Sequence, residues 1–270
     1  MPVMSISKAW RPAGLLVLPL LLVAASGCDL ALSDVRATET AEWRRTYALT
    51  PGGHVEIGNV NGRIQMQPSS DNTVEVVARK IAKAATQESA RQALGRIEIQ
   101  ESASPSSIRI ETKLQRGSTF FGGGGLEVQY TVRVPAGAGV KVTNVNGSVE
   151  IAGLSGRVRA ENVNGGIKVL DVSGDLHAST VNGGVVAEFA QVPESGVHLE
   201  CVNGGIKLRL PRDAKANLSA RVMNGGIATN GLDVVTSGES SRRRLEGRLN
   251  GGGPKIELEG TNGGISIGAR

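Results

Sequence analysis

The side chains in this 270-residue sequence that could do chemistry fall into three sets. His177 and His198, with Glu200 two residues on, are the first. Two imidazoles and a carboxylate are a ligand set for a divalent ion such as zinc. The second is Cys28, a thiol directly preceded by the small residues Ala25, Ser26 and Gly27, the setting of an acyl acceptor. The third is a recurring Asn-Gly pair whose asparagines, at positive φ beside glycine, are turn formers before they are catalysts. Zinc-spaced His/Cys clusters, a phosphate loop ahead of a helix and a nucleophile elbow are all missing from the sequence, so it implies no cofactor. Polysaccharide-cleaving β-helices need clustered carboxylates, or a basic residue at the scissile bond. The chain is therefore expected to be no enzyme, with an envelope polysaccharide-active β-helix enzyme as the alternative.

Lys8 and Arg11, the apolar run Ala13 to Ala25 and the small residues before Cys28 are the charged, apolar and cleavage zones of a signal peptide over residues 1–27. The apolar run is too short to span a bilayer, which takes about 20 residues. Ala25-Ser26-Gly27-Cys28 resembles the bacterial lipobox, although Ala25 stands where leucine is commonest. Cys28 is thus the expected lipid attachment site, anchoring the chain to a membrane of the bacterial envelope, on the periplasmic face or at the cell surface. Several acyl chains at about 0.8 kcal/mol per buried CH₂ hold firmly where one does not. Losing Lys8 and Arg11 lowers the net charge from +5 to +3, mildly basic and without the concentrated footprint of a nucleic-acid binder. An acylated Cys28 also leaves Cys201 without a disulfide partner.

The elements that position these residues come from a repeat. Asn-Gly recurs in a shared context at Asn61, Asn146, Asn164, Asn182, Asn203, Asn224, Asn250 and Asn262. Three residues later stand Ile64, Val149, Ile167, Val185, Ile206, Ile227, Gly253 and Ile265, aliphatic at every site but one. Polar residues alternate with them, the period of a strand with one buried face. Ser155-Gly156 and Ser173-Gly174 mark a second turn midway through a unit, making each unit two strands and two turns. Asn-Gly is also a strong hairpin signal, which leaves an antiparallel meander as the rival architecture. Like residues recurring once per unit favour stacked parallel coils. The expected fold is all-β: a right-handed parallel β-helix or β-solenoid with Asn-Gly turns, whose handedness follows that of strand crossovers. Aromatic residues at 3% suit such a narrow aliphatic core. The corner asparagines are expected to form a ladder by bonding to the backbone of neighbouring coils.

Residues 44–135 lack the regular repeat and read as a β-rich N-terminal cap, with strands near Val74–Ala78, Ile108–Lys113 and Leu126–Val134. Thr86 to Leu94 reads as a short helix capped by Thr86 and stopped at Gly95. Residues 28–43 are then the lipidated tether and residues 136–270 the solenoid repeats.

The phrases Asn144-Val145-Asn146-Gly147, Asn162-Val163-Asn164-Gly165-Gly166-Ile167 and Val202-Asn203-Gly204-Gly205-Ile206, after Tyr130-Thr131-Val132-Arg133-Val134-Pro135, resemble a bacterial family of adhesin-like β-repeat proteins. That family is a domain of unknown function related to the head domains of cell-surface adhesins. The resemblance covers roughly residues 45–270 and implies the fold, while architecture alone does not establish function.

Aligning the units places Lys141, Arg159, His177, His198 and Ser219 at one outward position, so His177 and His198 are expected on adjacent strands roughly 5 Å apart with Glu200 near. A flat exposed sheet offers no closed outer shell for a metal, and the expectation there is a solvated polar face. Cys201 falls on the inward parity, as one member of an internal stack. Arg242-Arg243-Arg244 reads as a surface loop, and Phe120-Phe121 as aromatics folded back over the cap. Because only Gly268, Ala269 and Arg270 follow the last repeat, its strand is expected to be an open edge able to pair with a second copy or receive a partner's strand. The leading function is a non-enzymatic, adhesin-like structural or interaction module with a protein or polysaccharide ligand and a possible homodimer through the C-terminal edge.

Overall fold

The computed structural model describes residues 37–115, 125–237 and 240–270. The signal peptide, Cys28 and Phe120-Phe121 lie outside the described residues. In chain order the N-terminal part holds β1 (Ala37–Ala48), β2 (His54–Asn61), β3 (Ile64–Ser69), β4 (Thr73–Ala84), α1 (Gln87–Leu94), β5 (Ile97–Ser104), β6 (Ser107–Leu114) and β7 (Leu126–Pro135). The repeats follow as β8 (Gly139–Asn146), β9 (Val149–Ala152), β10 (Val158–Asn164), β11 (Ile167–Leu170), β12 (Leu176–Asn182), β13 (Val185–Glu188), β14 (Val197–Asn203) and β15 (Ile206–Leu210). Last come β16 (Ala216–Asn224), β17 (Ile227–Asn230), β18 (Val234–Thr236), β19 (Arg244–Leu249), β20 (Lys255–Asn262) and β21 (Ile265–Ala269).

From β8 to β15 successive strands alternate between two sheets, and each strand pairs in parallel with its counterpart one unit away. One strand from each sheet makes a coil. The corner after each Asn works because glycine follows it: Gly165 has φ +137°, and a Cβ there would stand 2.1 Å from the carbonyl oxygen of Gly147 in the adjacent coil. No other residue lets the backbones approach so closely. Between the sheets Val149, Ile167, Val185, Ile206 and Ile265 stack on one wall and Val140, Val158, Leu176, Val197 and Ile256 on the other, all within one hydrophobic cluster.

Sheet I runs β1-β4-β7-β3-β9-β11-β13-β15-β21-β17, and sheet II runs β18-β19-β16-β20-β14-β12-β10-β8-β2-β6-β5. At both ends spatial order departs from chain order. The β2/β3 coil is wedged between β6/β7 and β8/β9, and the β20/β21 coil between β14/β15 and β16/β17. Antiparallel pairing, the rival architecture, is confined to the flanks: β1 with β4, β4 with β7, β5 with β6, β16 with β19 and β18 with β19.

These placements correct several expectations. The last strand is no open edge: β21 lies between β15 and β17, so pairing through the C-terminal strand loses its premise, and the outer strands at that end are β17 and β18. Residues 44–135 are more than a cover, since β2/β3 and β6/β7 are coils of the same stack sharing its core. The tether is shorter than 28–43, because residues 37–43 already belong to β1. The helix forms as read: the Thr86 side chain accepts from Ser89 N–H at 3.2 Å, and α1 packs on β4 and β1. No helix among the described residues is long and apolar enough to cross a membrane.

Candidate functional site

On each strand of sheet II alternate residues face outward, and the parallel register sets them in rows across the coils. The first row reads Arg109, Glu56, Lys141, Arg159, His177, His198, Glu257 and Ser219. Toward the N-terminal end the carboxylate is paired: Glu56 sits between Arg109 at 3.2 Å and Lys141 at 3.2 Å. Exposed pairs of this kind stabilise little, about 0–1 kcal/mol each.

The pattern breaks at β12, β14 and β20. The His177 and His198 rings stack with centroids 4.8 Å apart and planes 9° from parallel. Ligand atoms of His177, His198 and Glu200 all lie within 4.8 Å of one another. Because β20 is wedged beside β14, Glu257 comes to 3.6 Å from Nδ1 of His198, and Glu259 stands directly opposite Glu200. Neither Glu200 nor Glu259 has a cation within 4.0 Å among the described residues, and like charges directly opposite destabilise a sheet. Desolvation first, then the neighbouring His198 and Arg159, push the proton affinity of His177 below the usual imidazole range. Glu257 is held below the usual carboxylate range, chiefly by a hydrogen bond from Lys255. The sequence alignment of units had set Ser219 next to His198; the wedge puts Glu257 there instead.

A further outward row, one residue before each corner Asn, is apolar: Val60, Val145, Val163, Val181, Val202 and, past Thr261, Met223. Val163 and Val181 are 39% and 40% exposed and Met223 is 66% exposed. Sequence reasoning missed this ridge, although its signal lay in the Val-Asn-Gly phrase, whose valine has outward parity.

The corner asparagines form a ladder of side chain to side chain. Nδ2 donates to Oδ1 from Asn146 to Asn61 (2.7 Å), Asn164 to Asn146 (2.9 Å), Asn182 to Asn164 (2.9 Å), Asn203 to Asn182 (3.0 Å), Asn262 to Asn203 (2.8 Å) and Asn224 to Asn262 (2.9 Å). The expected bonds to neighbouring backbone come from the residue two places earlier. Asn144, Asn162, Thr180 and Cys201 donate to the carbonyls of Gly62, Gly147, Gly165 and Gly183. Asn250 is off the ladder: with φ +47° it donates instead to Arg212 O and Ala214 O. Its unit lacks the aliphatic positions, so the corner it makes leads out of an antiparallel strand. Cys201 is 1% exposed and burial pushes its thiol pKa up, which is the reverse of a reactive thiol. The carbonyls of Arg242 and Arg243 accept from Ile227 N–H and Val222 N–H, so the arginine run lies against the outermost coil.

The sequence profile of the Toastrack DUF4097 family matches residues 29–268. Among solved structures, a candidate cell adhesion protein from Clostridium sporogenes is 12% identical, with 86% of this chain and 100% of that one covered and a TM-score of 0.48. A candidate adhesin from Bacteroides fragilis is 12% identical, covering 85% and 97%, with a TM-score of 0.37. No curated protein matches the chain.

Proposed function

The chain belongs to the Toastrack DUF4097 family, and from that premise we propose that it is a non-enzymatic interaction module of the bacterial envelope. In this reading an acylated Cys28 holds it to a membrane, and the outer face of sheet II meets an extended partner. The observation that carries the reading is the valine ridge. Solvent-facing positions of a strand are normally polar, yet here an aliphatic recurs in coil after coil beside rows of charge, and rows of apolar groups rimmed by polar ones mark contact surfaces. The right-handed coil expected of strand crossovers keeps such rows in line along the stack. Glu200, Glu257 and Glu259 stand on an open sheet, which supports binding over cleavage.

The test uses cells making the Cys28→Ser chain. The exported protein is expected to carry no lipid label and to be retained on isolated envelopes by its folded part alone. Adding Val163→Lys and Val181→Lys should lower that retention about tenfold, roughly 1.4 kcal/mol, while Lys168→Asp on sheet I leaves it unchanged. Equal retention with and without the ridge substitutions overturns the contact face. Lipid labelling of Cys28→Ser equal to that of the wild type overturns the anchor.

A further inference from the structure

We propose that His177, His198 and Glu200 form a binding site for a divalent transition ion of the zinc class on the outer face of sheet II. Two neutral imidazoles and one carboxylate are the donor set that zinc accepts, leaving its remaining position for water. The strands supply the rigid part of the geometry. His177 and His198 are register partners on β12 and β14, and Glu200 follows His198 at the next outward position of the same strand. Donor atoms around a tetrahedral ion at about 2.1 Å stand roughly 3.4 Å apart. The three donors, now within 4.8 Å of one another, reach that spacing by side-chain rotation alone, and none of the three is fully buried.

Two observations separate this cluster from a merely solvated face. First, it has the beginnings of an outer shell. Glu257 stands 3.6 Å from His198 Nδ1, so the carboxylate can fix the ring and leave Nε2 to face an ion, the arrangement that orients metal-binding histidines. Second, it is the place where the charge pairing of the face fails. Arg159 is occupied by Glu161 at 2.6 Å and Glu56 by its two cations, whereas Glu200 makes no ion pair within 4.0 Å among the described residues and faces Glu259, whose other register neighbour is Arg221. A dication bound to Glu200 relieves its repulsion with Glu259.

The full-length protein, purified in detergent without a histidine tag, is titrated with ZnCl₂ against a chromophoric chelator at neutral pH. Binding of one equivalent is expected, together with a rise in unfolding temperature on adding zinc. His198→Ala and His177→Ala should each abolish both effects. These side chains lie on the sheet's outer face, so the variants fold. Glu257→Gln should weaken affinity about tenfold, the usual consequence of removing a histidine's carboxylate partner. His54→Ala, which alters the remaining histidine on a distant strand of the same sheet, should change neither reading. The proposal is overturned if the wild type takes up no zinc, or if its uptake survives the double substitution of His177 and His198.

Discussion

The middle of this molecule and its two ends are built from the same coil but assembled by different rules. From β8 to β15 each coil stacks on the one before it, and corner asparagines that share a hydrogen bond are 18 or 21 residues apart. At the ends the bonded asparagines are 85 residues apart for Asn61 and Asn146, and 59 for Asn203 and Asn262. The repeat phrase therefore specifies which residues stack, but not which coil lies next to which. A plain stack of repeats leaves its last coil held on one side only, where termini fray. Here the chain's final coil is hydrogen-bonded on both sides, and the outermost positions go to coils flanked by antiparallel strands that break the repeat. Sheet edges are shielded in this way against pairing with other chains.

The comparison is broken most severely by deleting residues 255–270. In a sequential stack this would trim one coil and expose one edge. In the interleaved arrangement it removes the strands that join β14 to β16 and β15 to β17. The expected result is loss of the whole C-terminal end: amides of β16 and β19 lose protection against hydrogen exchange, and urea unfolding shows a smaller m-value because less surface is buried. Amides in β16 as protected as those in β10 would show that the wedge does not hold the end together.

A milder test sets one repeat position in the middle against its equivalent at the end. Ile167 is 1% exposed between two neighbouring coils, whereas Ile227, on the outermost strand, is only half-buried. Ile167→Asp places an unpaired charge in the aliphatic stack and should cost about 3–5 kcal/mol. Ile227→Asp can keep its carboxylate hydrated and should cost about 1 kcal/mol or less. Lys168→Asp, outward on the same strand as Ile167, should be nearly neutral by the same urea titration. Equal damage from Ile167→Asp and Ile227→Asp would mean that the end coil is as closed as the middle.

What the sequence disclosed follows the same division. The period of the Asn-Gly phrase was enough to find the coils, the inward aliphatics, the stacked His177 and His198, and the buried Cys201, because all of these depend on neighbours one unit away. The wedge was not legible. Nothing in the residues of β20 distinguishes a last coil from a penultimate one, since both present Ile256 and Leu258 to the same core. The part Glu257 and Glu259 play beside His198 and Glu200 was hidden for that reason. The inward parity of Asn144, Asn162 and Thr180 was legible with that of Cys201; what was not is that Asn144 bonds to a backbone carbonyl while Asn146, chemically identical, bonds to its own kind. The extra coil at β6/β7 was obscured because the sequence between its two strands contains no Asn-Gly.

The smallest expected effect concerns how the wedge is fastened to the middle. Arg270, the last residue, reaches back to Asp171 at the corner after β11, with Nη1 2.5 Å from Oδ1 and Nη2 3.2 Å from Oδ2. Its own N–H donates to Leu210 O at 2.8 Å. The hydrogen bond from Arg270 holds the Asp171 carboxyl below the usual range. Asp171 has φ +48°, a conformation asparagine tolerates, so Asp171→Asn removes the charge without straining the backbone. Both partners are nearly half exposed, so solvent and salt screen the pair, and the substitution should lower Tm by only about 1–2 °C at low ionic strength. The sign follows from the lowered pKa: the unfolded chain binds the proton more readily, so the pair's stabilisation is present above about pH 4 and is lost as pH falls through the folded value. Wild type and Asp171→Asn should therefore differ in Tm at pH 7, less at pH 7 in 1 M salt, and progressively less as pH falls into acid. Hydrogen exchange should quicken at the last amides of β21 and not in β11, since the strands around β11 are held by near neighbours. A Tm difference that persists undiminished into acid, or equal quickening in both strands, would show that Asp171 acts through its corner rather than by pinning the chain's end.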